Sequence, residues 1–363
     1  MKNSSNKIFI GTMSGTSHDG IDICAINIAK KIKLLKFNSY RYPEKLRAEI
    51  SDVIKHQTLS LKSYFELDKK IGGAFSKSIN KFLAKNNYKK SQVIAIGLSG
   101  QTLFHAPRAK YPFSIQAGDP NIVSTGCGLD VVSDFRNDHI DLGGEGAPLV
   151  PEFHHTIFAK KNSPLVVVNI GGISNFTYLD GKRTFYGSDC GPGNALLDAY
   201  CQEYLNLPYD EDGELAKNGK VHTPSLKRML NHPFFKQRHP KSTGKELFNM
   251  HFIPKQLFKR SPNDILATLT ELTAICIAKC LHSQKKSPSK VILCGGGFKN
   301  KFLINSIQRH TKIVLNSSNE FGFDPQAIEA MAFGWMAYQR IYKNPLNVNG
   351  KRGLLGKITK TKQ

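Results

Sequence analysis

The residues best suited to chemistry lie in a glycine-rich stretch near the start of the chain, Gly11–Asp22. It follows an apolar run, Ile8–Ile10, that predicts a buried strand, and Ala25–Ile28 predicts the returning strand of a hairpin. Glycines at the tip let main-chain N–H groups approach a phosphate without interference from Cβ atoms. Asp19 and Asp22 supply carboxylates that can hold a magnesium ion, directly or through water. The alternative is an ordinary hairpin with a polar tip.

A second chemical motif, Gly187–Asp198, places Asp189 directly before a Gly-Pro-Gly turn, and Asn194–Tyr200 predicts the helix that follows. A carboxylate held at a glycine loop is well placed to act as a general base. The alternative is a carboxylate that only caps the amides of the turn. Because Asp189 lies between two glycine-rich strand junctions, at 165–172 and 291–297, the catalytic interpretation is favoured.

A third motif is Asp134-Phe-Arg136, followed by the unusual glycine and proline run Gly143–Pro151. The planar guanidinium of Arg136 can bind a carboxylate or a phosphate through two parallel hydrogen bonds. The structural alternative for Arg136 is a salt bridge with Asp134 or Asp138.

The elements that must position these residues predict an α/β fold. The apolar strand at 93–98 brings Ser99–His105 to a strand end, the place where α/β proteins usually bind ligands, and the strand at 165–170 leads into the glycine loop 171–175. The order strand, Gly/Ser loop, strand, Asp-Gly occurs at the N-terminus and again at 165–181, which predicts a duplicated fold with a cleft between its halves. Helices are predicted over 44–56, 60–86, 268–281 and 325–341, the last with Pro325 in its first turn.

The composition predicts a globular protein of about two domains. The chain has 363 residues with 40% hydrophobic content, enough for a sizeable core. No apolar run approaches the roughly 18 residues that span a membrane, and Met1–Lys7 lacks the features of a secretory signal. We therefore expect a cytoplasmic protein without a membrane segment. The seven cysteines form no CxxC pair, so we expect reduced thiols and no zinc site.

The formal net charge of +23 raises the possibility of nucleic-acid binding. The positive residues are scattered, however, and no RNA-binding or zinc-finger motif accompanies them. A solvated lysine-rich surface is therefore favoured over a specific nucleic-acid site. The basic tail, 351–362, is expected to be frayed.

Taken together, these motifs resemble the anhydro-N-acetylmuramic acid kinase family. The similarity extends from about residue 8 to about residue 340, and the chain departs from the family pattern at Ser99, where His is usual. The segments that carry it are Gly11–Asp22, Gly100–Thr102 with His105, Asp134–Arg136, Gly143–Pro151, Asn169–Gly172, Asp189–Asn194, Pro240–Glu246, Cys294–Gly297 and Asp324–Gly334.

The resemblance implies a two-domain fold of the actin/hexokinase/Hsp70 (ASKHA) type with an interdomain nucleotide cleft. The first domain, 1–130 with the C-terminal helix of about 325–363, would carry the phosphate loop. The second, 131–324, would carry the catalytic Asp and an adenosine-binding glycine loop. The implied reaction opens the 1,6-anhydro ring of anhydro-N-acetylmuramic acid with water and phosphorylates O6 from ATP, during peptidoglycan recycling.

The resemblance also implies roles for individual residues. Asp189 would be the general base, with Glu329 positioning the water or the sugar. Substrate would contact Gln101, Thr102, Arg136 and Asn194, and Mg²⁺ would lie near Asp19 and Asp22. ATP would be held by Gly15, Thr16, Ser17, His18, Asp19, Gly20, Ile21 and Asp22, by Gly171 and Gly172, and near the adenosine by Gly295, Gly296 and Gly297.

Three other functions compete with this one. An ordinary sugar kinase of the same fold would use Asp189 to deprotonate a free sugar hydroxyl. A non-catalytic ATP-dependent binding module of Hsp70 type lacks support, because no peptide-binding domain follows the nucleotide unit. A nucleic-acid binder rests on charge alone. The expected partners are the amino sugar and ATP, and the sequence leaves a homodimer open.

Overall fold

The computed structural model describes residues 8–15, 18–182 and 185–361. The chain divides into two compact units. The first unit comprises Met1–Phe153 with Gly322–Gln363, and the second comprises His154–Phe321. The sequence analysis placed the boundaries near residues 130 and 325.

The strands and helices alternate along much of the chain. The strands are β1 Ile8–Met13, β2 Gly20–Ile28, β3 Ile32–Arg41, β4 Val93–Gly97, β5 Gln101–Ala106, β6 Phe113–Ala117, β7 Val131–Ser133, β8 Leu165–Ile170, β9 Ile173–Leu179, β10 Phe185–Pro192, β11 Lys290–Cys294, β12 Leu315–Ser317, β13 Leu346–Val348, β14 Lys351–Gly353 and β15 Lys357–Thr359. The α-helices are α1 Glu44–His56, α2 Leu61–Lys85, α3 Pro120–Cys127, α4 Phe135–Asp141, α5 Pro151–Phe158, α6 Ala195–Tyr204, α7 Glu214–Lys217, α8 Thr223–Leu230, α9 Pro262–His282, α10 Lys301–Thr311 and α11 Ile328–Ile341.

The first unit is built on a sheet of order β15-β7-β4-β1-β2-β3. Its side chains alternate between two faces, as the period of a strand requires. Ile8 and Ile10 of β1 share a core with Ile71 and Phe75 of α2, while Phe9 contacts Tyr338 of α11. Because β7 pairs with β4 in this sheet, residues 131–153 belong with the first unit rather than with the second.

The second unit is built on a sheet of order β10-β9-β8-β11-β12. Helices α9 and α10 pack together beside this sheet, and the buried cluster includes Val166 of β8, Ile277 of α9 and Leu303 of α10. The strand β8 is buried along its whole length, so its apolar run is continuous rather than alternating.

The two sheets repeat one topology. In each, the first three strands form an antiparallel meander, and two further strands continue parallel to the first. The strand order is therefore β3-β2-β1-β4-β7 in one unit and β10-β9-β8-β11-β12 in the other. The α/β class and the duplication predicted from the sequence are confirmed.

The helix α9 is the core helix of the second unit. By length and composition alone it could cross a membrane, with a mean hydropathy of 1.5 over its most apolar window. The sequence analysis found no run of this kind. The window is 78% buried inside the protein, which is typical of the central helix of a globular core.

Two predictions for the C-terminal region were wrong. The last helix begins at Ile328 rather than at 325, because Asp324 accepts hydrogen bonds from Gln326 and Ala327 and forms a separate turn. The basic tail is not frayed through residue 359, because β14 pairs with β13 and β15 pairs with β7. The seven cysteines are buried, and none of them forms a disulfide in the described part of the chain.

Candidate active site

The glycine-rich loop of the first unit joins β1 to β2. Thr16 and Ser17, both expected to bind phosphate, lie outside the described residues. After them, the main-chain N–H of His18 donates to the carbonyl of Gly15 over 3.1 Å, and the φ angle of His18 is 43°. This left-handed conformation is uncommon for a residue with a Cβ atom. A 2.7 Å hydrogen bond between Nε2 of His18 and the hydroxyl of Ser51 on α1 holds the residue in it.

Gln101, at the start of β5, braces the same loop. Its side chain is fully buried, its Oε1 accepts from the Ser14 hydroxyl over 2.6 Å, and its Nε2 donates to the Gly15 carbonyl over 3.4 Å. The hydroxyl of Ser99 accepts from the main-chain N–H of Ser14 over 3.1 Å, so a serine at this position also ties the loop to the neighbouring strand. Gln101 and Thr102 are both expected to contact substrate, and Thr102 is the more exposed of the two.

Carboxylates gather around Asp22 in β2. Burial raises the pKa of Asp22 from 3.8 to about 6, the charges of Glu329, Asp19 and Asp324 add to this, and a hydrogen bond from the Ser39 hydroxyl opposes it. Negative charge held away from water in this way favours a bound cation. Among the described residues, no group of three or more His, Cys, Asp or Glu side chains is arranged to hold a metal. The carboxylates of Asp19 and Asp22 are oxygen ligands of the kind that can hold a magnesium ion, directly or through water.

Arg136, in the first turn of α4, combines burial with an unused donor. Its Nη1 donates to the Gly146 carbonyl over 2.8 Å, while its Nε is buried and has no hydrogen-bond partner among the residues that the structure describes. Burial lowers the pKa of Arg136, and the charge of Glu329 opposes this change. An unsatisfied buried donor on a cation is costly, so this atom is a candidate contact for an acidic ligand.

The salt-bridge alternative for Arg136 is not seen. Asp134 accepts from Lys357 over 2.5 Å, and Asp138 accepts from the main-chain N–H of Gly356 over 2.7 Å. Both acids therefore serve to attach the C-terminal strand β15 and the turn before it. In the described part of the chain neither acid is paired with Arg136.

Two histidines beside Arg136 are neutral at pH 7, and the sequence analysis assigned them no role. Burial, followed by the charge of Arg136, lowers the pKa of His105 and of His139 to about 4. The Nδ1 atom of His139 accepts from the main-chain N–H of Gly146 over 3.0 Å. Arg136 thus faces two uncharged imidazoles. The sequence signal was the glycine run 143–146, whose tight turn brings these side chains together.

Asp189 lies in the second unit, on β10, and the sequence analysis was wrong about its local structure. The predicted Gly-Pro-Gly turn is instead a continuation of the strand to Pro192, with a bulge in the pairing with β9 between Asp189 and Gly191. A bulge re-aims the neighbouring side chain, and bulges are common next to active sites. The Asp189 side chain is 8% exposed, and its Oδ2 accepts from the main-chain N–H of Thr243 over 2.8 Å.

The segment that holds Asp189 comes from the motif Pro240–Glu246. The main-chain N–H of Asp189 donates to the Lys241 carbonyl over 2.9 Å, and the main-chain N–H of Lys241 donates to the Ser188 hydroxyl over 2.9 Å. The sequence of this motif did not by itself indicate a role. Its contact with β10 is long-range in sequence, so spacing alone could not have found it.

Gly171 and Gly172 form the turn between β8 and β9. Their carbonyls accept from the main-chain N–H groups of Asn194 and Ala195 over 2.8 and 2.9 Å, which joins the turn to the start of α6. Asn194 is the residue before this helix, and within the described part of the chain its side chain makes no capping hydrogen bond. The structure thus brings three of the predicted site residues together, on the unit that also holds Asp189.

The glycines after β11 satisfy a packing requirement. A Cβ atom on Gly295 would lie 2.3 Å from Oδ1 of Asn169, and one on Gly297 would lie 2.3 Å from Cγ2 of Ile170. Gly295 also has a φ of 85°, which favours glycine. These contacts place the loop against the end of β8, and the expected contact of residues 295–297 with adenosine stays a prediction.

Comparison with known proteins identifies relatives over almost the whole chain. The family model described as anhydro-N-acetylmuramic acid kinase matches residues 7–359. A protein of that name from Gamma-proteobacterium EBAC31A08 is 46% identical over 362 residues, covering 99% of this chain and 100% of the relative. Another from Haemophilus influenzae is 38% identical, covering 97% of this chain and 96% of the relative.

Solved structures resemble the chain more distantly. Component A of the (R)-2-hydroxyglutaryl-CoA dehydratase of Acidaminococcus fermentans has a TM-score of 0.49 at 12% identity, covering 93% of this chain and 99% of that one. A ROK family glucokinase from Streptomyces griseus, in complex with glucose and AMPPNP, has a TM-score of 0.42 at 12% identity, covering 92% and 99%.

Proposed function

Because the chain belongs to the anhydro-N-acetylmuramic acid kinase family, we propose that it opens the 1,6-anhydro ring of 1,6-anhydro-N-acetylmuramic acid and phosphorylates O6 from ATP. As a member of this family, the chain is an enzyme, a kinase, and its fold is of the actin/hexokinase/Hsp70 type. The proposed products are N-acetylmuramic acid 6-phosphate and ADP. The proposed setting is the recycling of peptidoglycan in the cytoplasm.

The substrate decides the chemistry. Its O6 is bonded to the anomeric carbon C1, so no hydroxyl exists at that position to accept a phosphoryl group. The oxygen of water bonds to C1 while the C1–O6 bond breaks, and O6 takes the γ-phosphoryl group as ADP leaves. The water gives up one proton, which needs a base.

The observation that carries the proposal is the buried carboxylate of Asp189. A base must be in position before the reaction, and the main-chain N–H of Thr243 orients this carboxylate through Oδ2. The bulge in β10 presents it at a fixed place on the strand. We assign Asp189 as the general base that takes the proton of the attacking water.

Two residues of the first unit suit the sugar. The lactyl carboxylate of the substrate matches the buried Nε of Arg136, which no described residue accepts from. Glu329, on α11, interacts electrostatically with Arg136 and with Asp22, and we assign it to positioning the water or the sugar. Thr102 and Asn194 would supply further polar contacts with the substrate, and Gln101 would act by bracing the phosphate loop.

ATP would be held by the loop Gly15–Asp22, with Gly171 and Gly172 at a second phosphate-binding turn and residues 295–297 near the adenosine. Asp19 and Asp22 would hold magnesium through water. When bound, magnesium neutralises charge on the transferring phosphoryl group.

The proposal is tested by product analysis. Incubation with Mg-ATP and 1,6-anhydro-N-acetylmuramic acid should give a sugar phosphate with the mass of N-acetylmuramic acid 6-phosphate, one per ADP. Asp189→Asn should fold and bind ATP but lose about 10²–10⁴-fold in turnover, the usual contribution of a positioned base. The matched control is Glu203→Gln, an exposed acid on α6, which should behave as the parent. Parent-like turnover in Asp189→Asn would remove Asp189 from the mechanism.

A further inference from the structure

Lys241 is a buried lysine that the reaction above does not use. Its side chain is 5% exposed, and its Nζ donates to the Phe234 carbonyl over 2.9 Å. The same atom lies 4.2 Å from the centroid of the Phe234 ring and 6.0 Å from that of Phe235. The carboxylate ion pairs of the described residues do not include it. Burying an ammonium without a carboxylate partner is costly, so its retention calls for a reason.

The main chain around Lys241 holds Asp189 on two sides. The Lys241 carbonyl accepts from the main-chain N–H of Asp189, and its own N–H donates to the hydroxyl of the preceding residue, Ser188, both over 2.9 Å. Two residues further on, the N–H of Thr243 donates to the Asp189 carboxylate over 2.8 Å. Any movement of the segment 241–243 would therefore move both the backbone and the carboxylate of Asp189.

We propose that Lys241 is a positioning residue for Asp189. Its buried side chain anchors the segment 241–243 on Phe234, and that segment orients the carboxylate. Its positive charge interacts electrostatically with Asp189 and favours the ionised carboxylate that a general base requires. The inference rests on the role proposed above for Asp189.

The charge environment sets the expected pH dependence. Burial lowers the pKa of Lys241, and the charges of Cys280, Cys190 and Cys276, followed by that of Asp189, oppose this lowering. A cation near a carboxylate favours its ionised form, so removal of the ammonium should make Asp189 easier to protonate. The titratable groups that face Lys241 are Cys276 and Cys280 on α9 and Asp189 and Cys190 on β10, with His239 of its own segment against Cys280.

The test is Lys241→Met, which keeps the length of the side chain and its contact with the Phe234 ring but removes the charge. We expect kcat to fall by about 10- to 100-fold, as misplacement of a reacting group by up to about 1 Å does, with KM for both substrates within about twofold of the parent. The acid limb of the kcat profile should move to higher pH. The control is Lys227→Met, the same change at an exposed lysine of α8, with parent-like kinetics.

Ser188→Ala is a second test of the segment 241–243, because it deletes the hydroxyl that accepts from the main-chain N–H of Lys241. It should also lower kcat without raising KM. If Lys241→Met does not fold, Ser188→Ala tests whether the segment 241–243 positions Asp189. Parent-like kcat and pH profile in Lys241→Met, or parent-like kcat in Ser188→Ala, would overturn the inference. Activity retained in Asp189→Asn would instead overturn the proposed function, so the two failures are distinguishable.

Discussion

Single residues at the candidate site hold charge away from water, at a cost to stability. Burial and the negative charges of neighbouring carboxylates make Asp22 harder to ionise. The guanidinium of Arg136 has a buried Nε donor that has no hydrogen-bond partner among the described residues. Such groups are expensive when they have nothing to bind, and their cost falls when a ligand of opposite charge arrives. The sequence identified both residues from their motifs. It could not assign roles to Lys241 or to the neutral His105 and His139, because those roles depend on contacts between distant segments.

The Arg136 assignment predicts a selective loss of affinity. Arg136→Ala should weaken binding of the anhydro sugar by about tenfold to 100-fold, as loss of a charge-assisted hydrogen bond of about 1.5–3 kcal/mol requires. ATP binding should change little. Calorimetric titration of each ligand measures both affinities, with Arg47→Ala, at an exposed arginine of α1, as the control. Equal losses for the two ligands would assign Arg136 to folding instead.

The raised pKa of Asp22 predicts how the free energy of unfolding depends on pH. Its folded-state pKa of about 6 lies above the ordinary 3.8, so its contribution to stability is present below pH 4 and is lost as the pH rises through 6. Asp22→Asn should therefore raise the free energy of unfolding at pH 7.5, by up to about 3 kcal/mol, and have little effect at pH 4. Urea denaturation of parent and variant at both pH values measures the difference.

The control for Asp22→Asn is Glu66→Gln, at an exposed acid of α2, which should leave the free energy of unfolding unchanged at either pH. The idea fails if Asp22→Asn shifts the free energy of unfolding equally at pH 4 and pH 7.5. It also fails if the variant is less stable than the parent at pH 7.5.

At the scale of elements, the first unit depends on the close approach of α11 to its sheet. Gly11 of β1 and Gly97 of β4 face the helix backbone, and a Cβ atom there would lie 1.9 Å from the Ala330 carbonyl oxygen or 2.1 Å from that of Phe333. Backbone atoms cannot move aside as a flexible side chain can. This contact fixes the helix that carries Glu329.

Gly97→Ala should therefore destabilise the protein by at least about 2 kcal/mol, through overpacking against a rigid backbone. The matched change is Gly73→Ala in α2, where a Cβ atom meets nothing within 4 Å. There, alanine should raise stability by about 0.5–1 kcal/mol, because it reduces the freedom of the unfolded chain. Thermal denaturation of both variants tests the pair, and similar effects of the two changes would refute the close-contact explanation.

Hydrophobic periodicity predicted most elements well, because α2, α9, β1 and β8 bury one clear face or their whole length. Two of the misses share a physical cause, since each depends on a partner distant in sequence. The bulge at Asp189 depends on the register with β9, and the ordered tail depends on β7 and on ion pairs such as Lys360 with Asp130. No local pattern contains this information.

At the scale of the whole molecule, the repeated strand order of the two units accounts for the two glycine-rich hairpin turns seen in the sequence. Each turn follows the first strand of its sheet, β1 in one unit and β8 in the other. The duplication could be predicted from the sequence because both hairpins keep the same order of strand, loop and strand. The boundary between the two units at Phe153 could not be predicted from the sequence, because it depends on strand pairing rather than on composition.

The central claim is that one enzyme couples attack of water at C1 to phosphorylation of O6, and oxygen labelling tests it most directly. The reaction is run with Mg-ATP and 1,6-anhydro-N-acetylmuramic acid in ¹⁸O-water, and the product is analysed by mass spectrometry before anomeric exchange scrambles the label. The coupled mechanism predicts one ¹⁸O at O1 of the sugar and none in its phosphate. A phosphorylated sugar without label at early times would contradict it and would favour an ordinary kinase acting on a free hydroxyl.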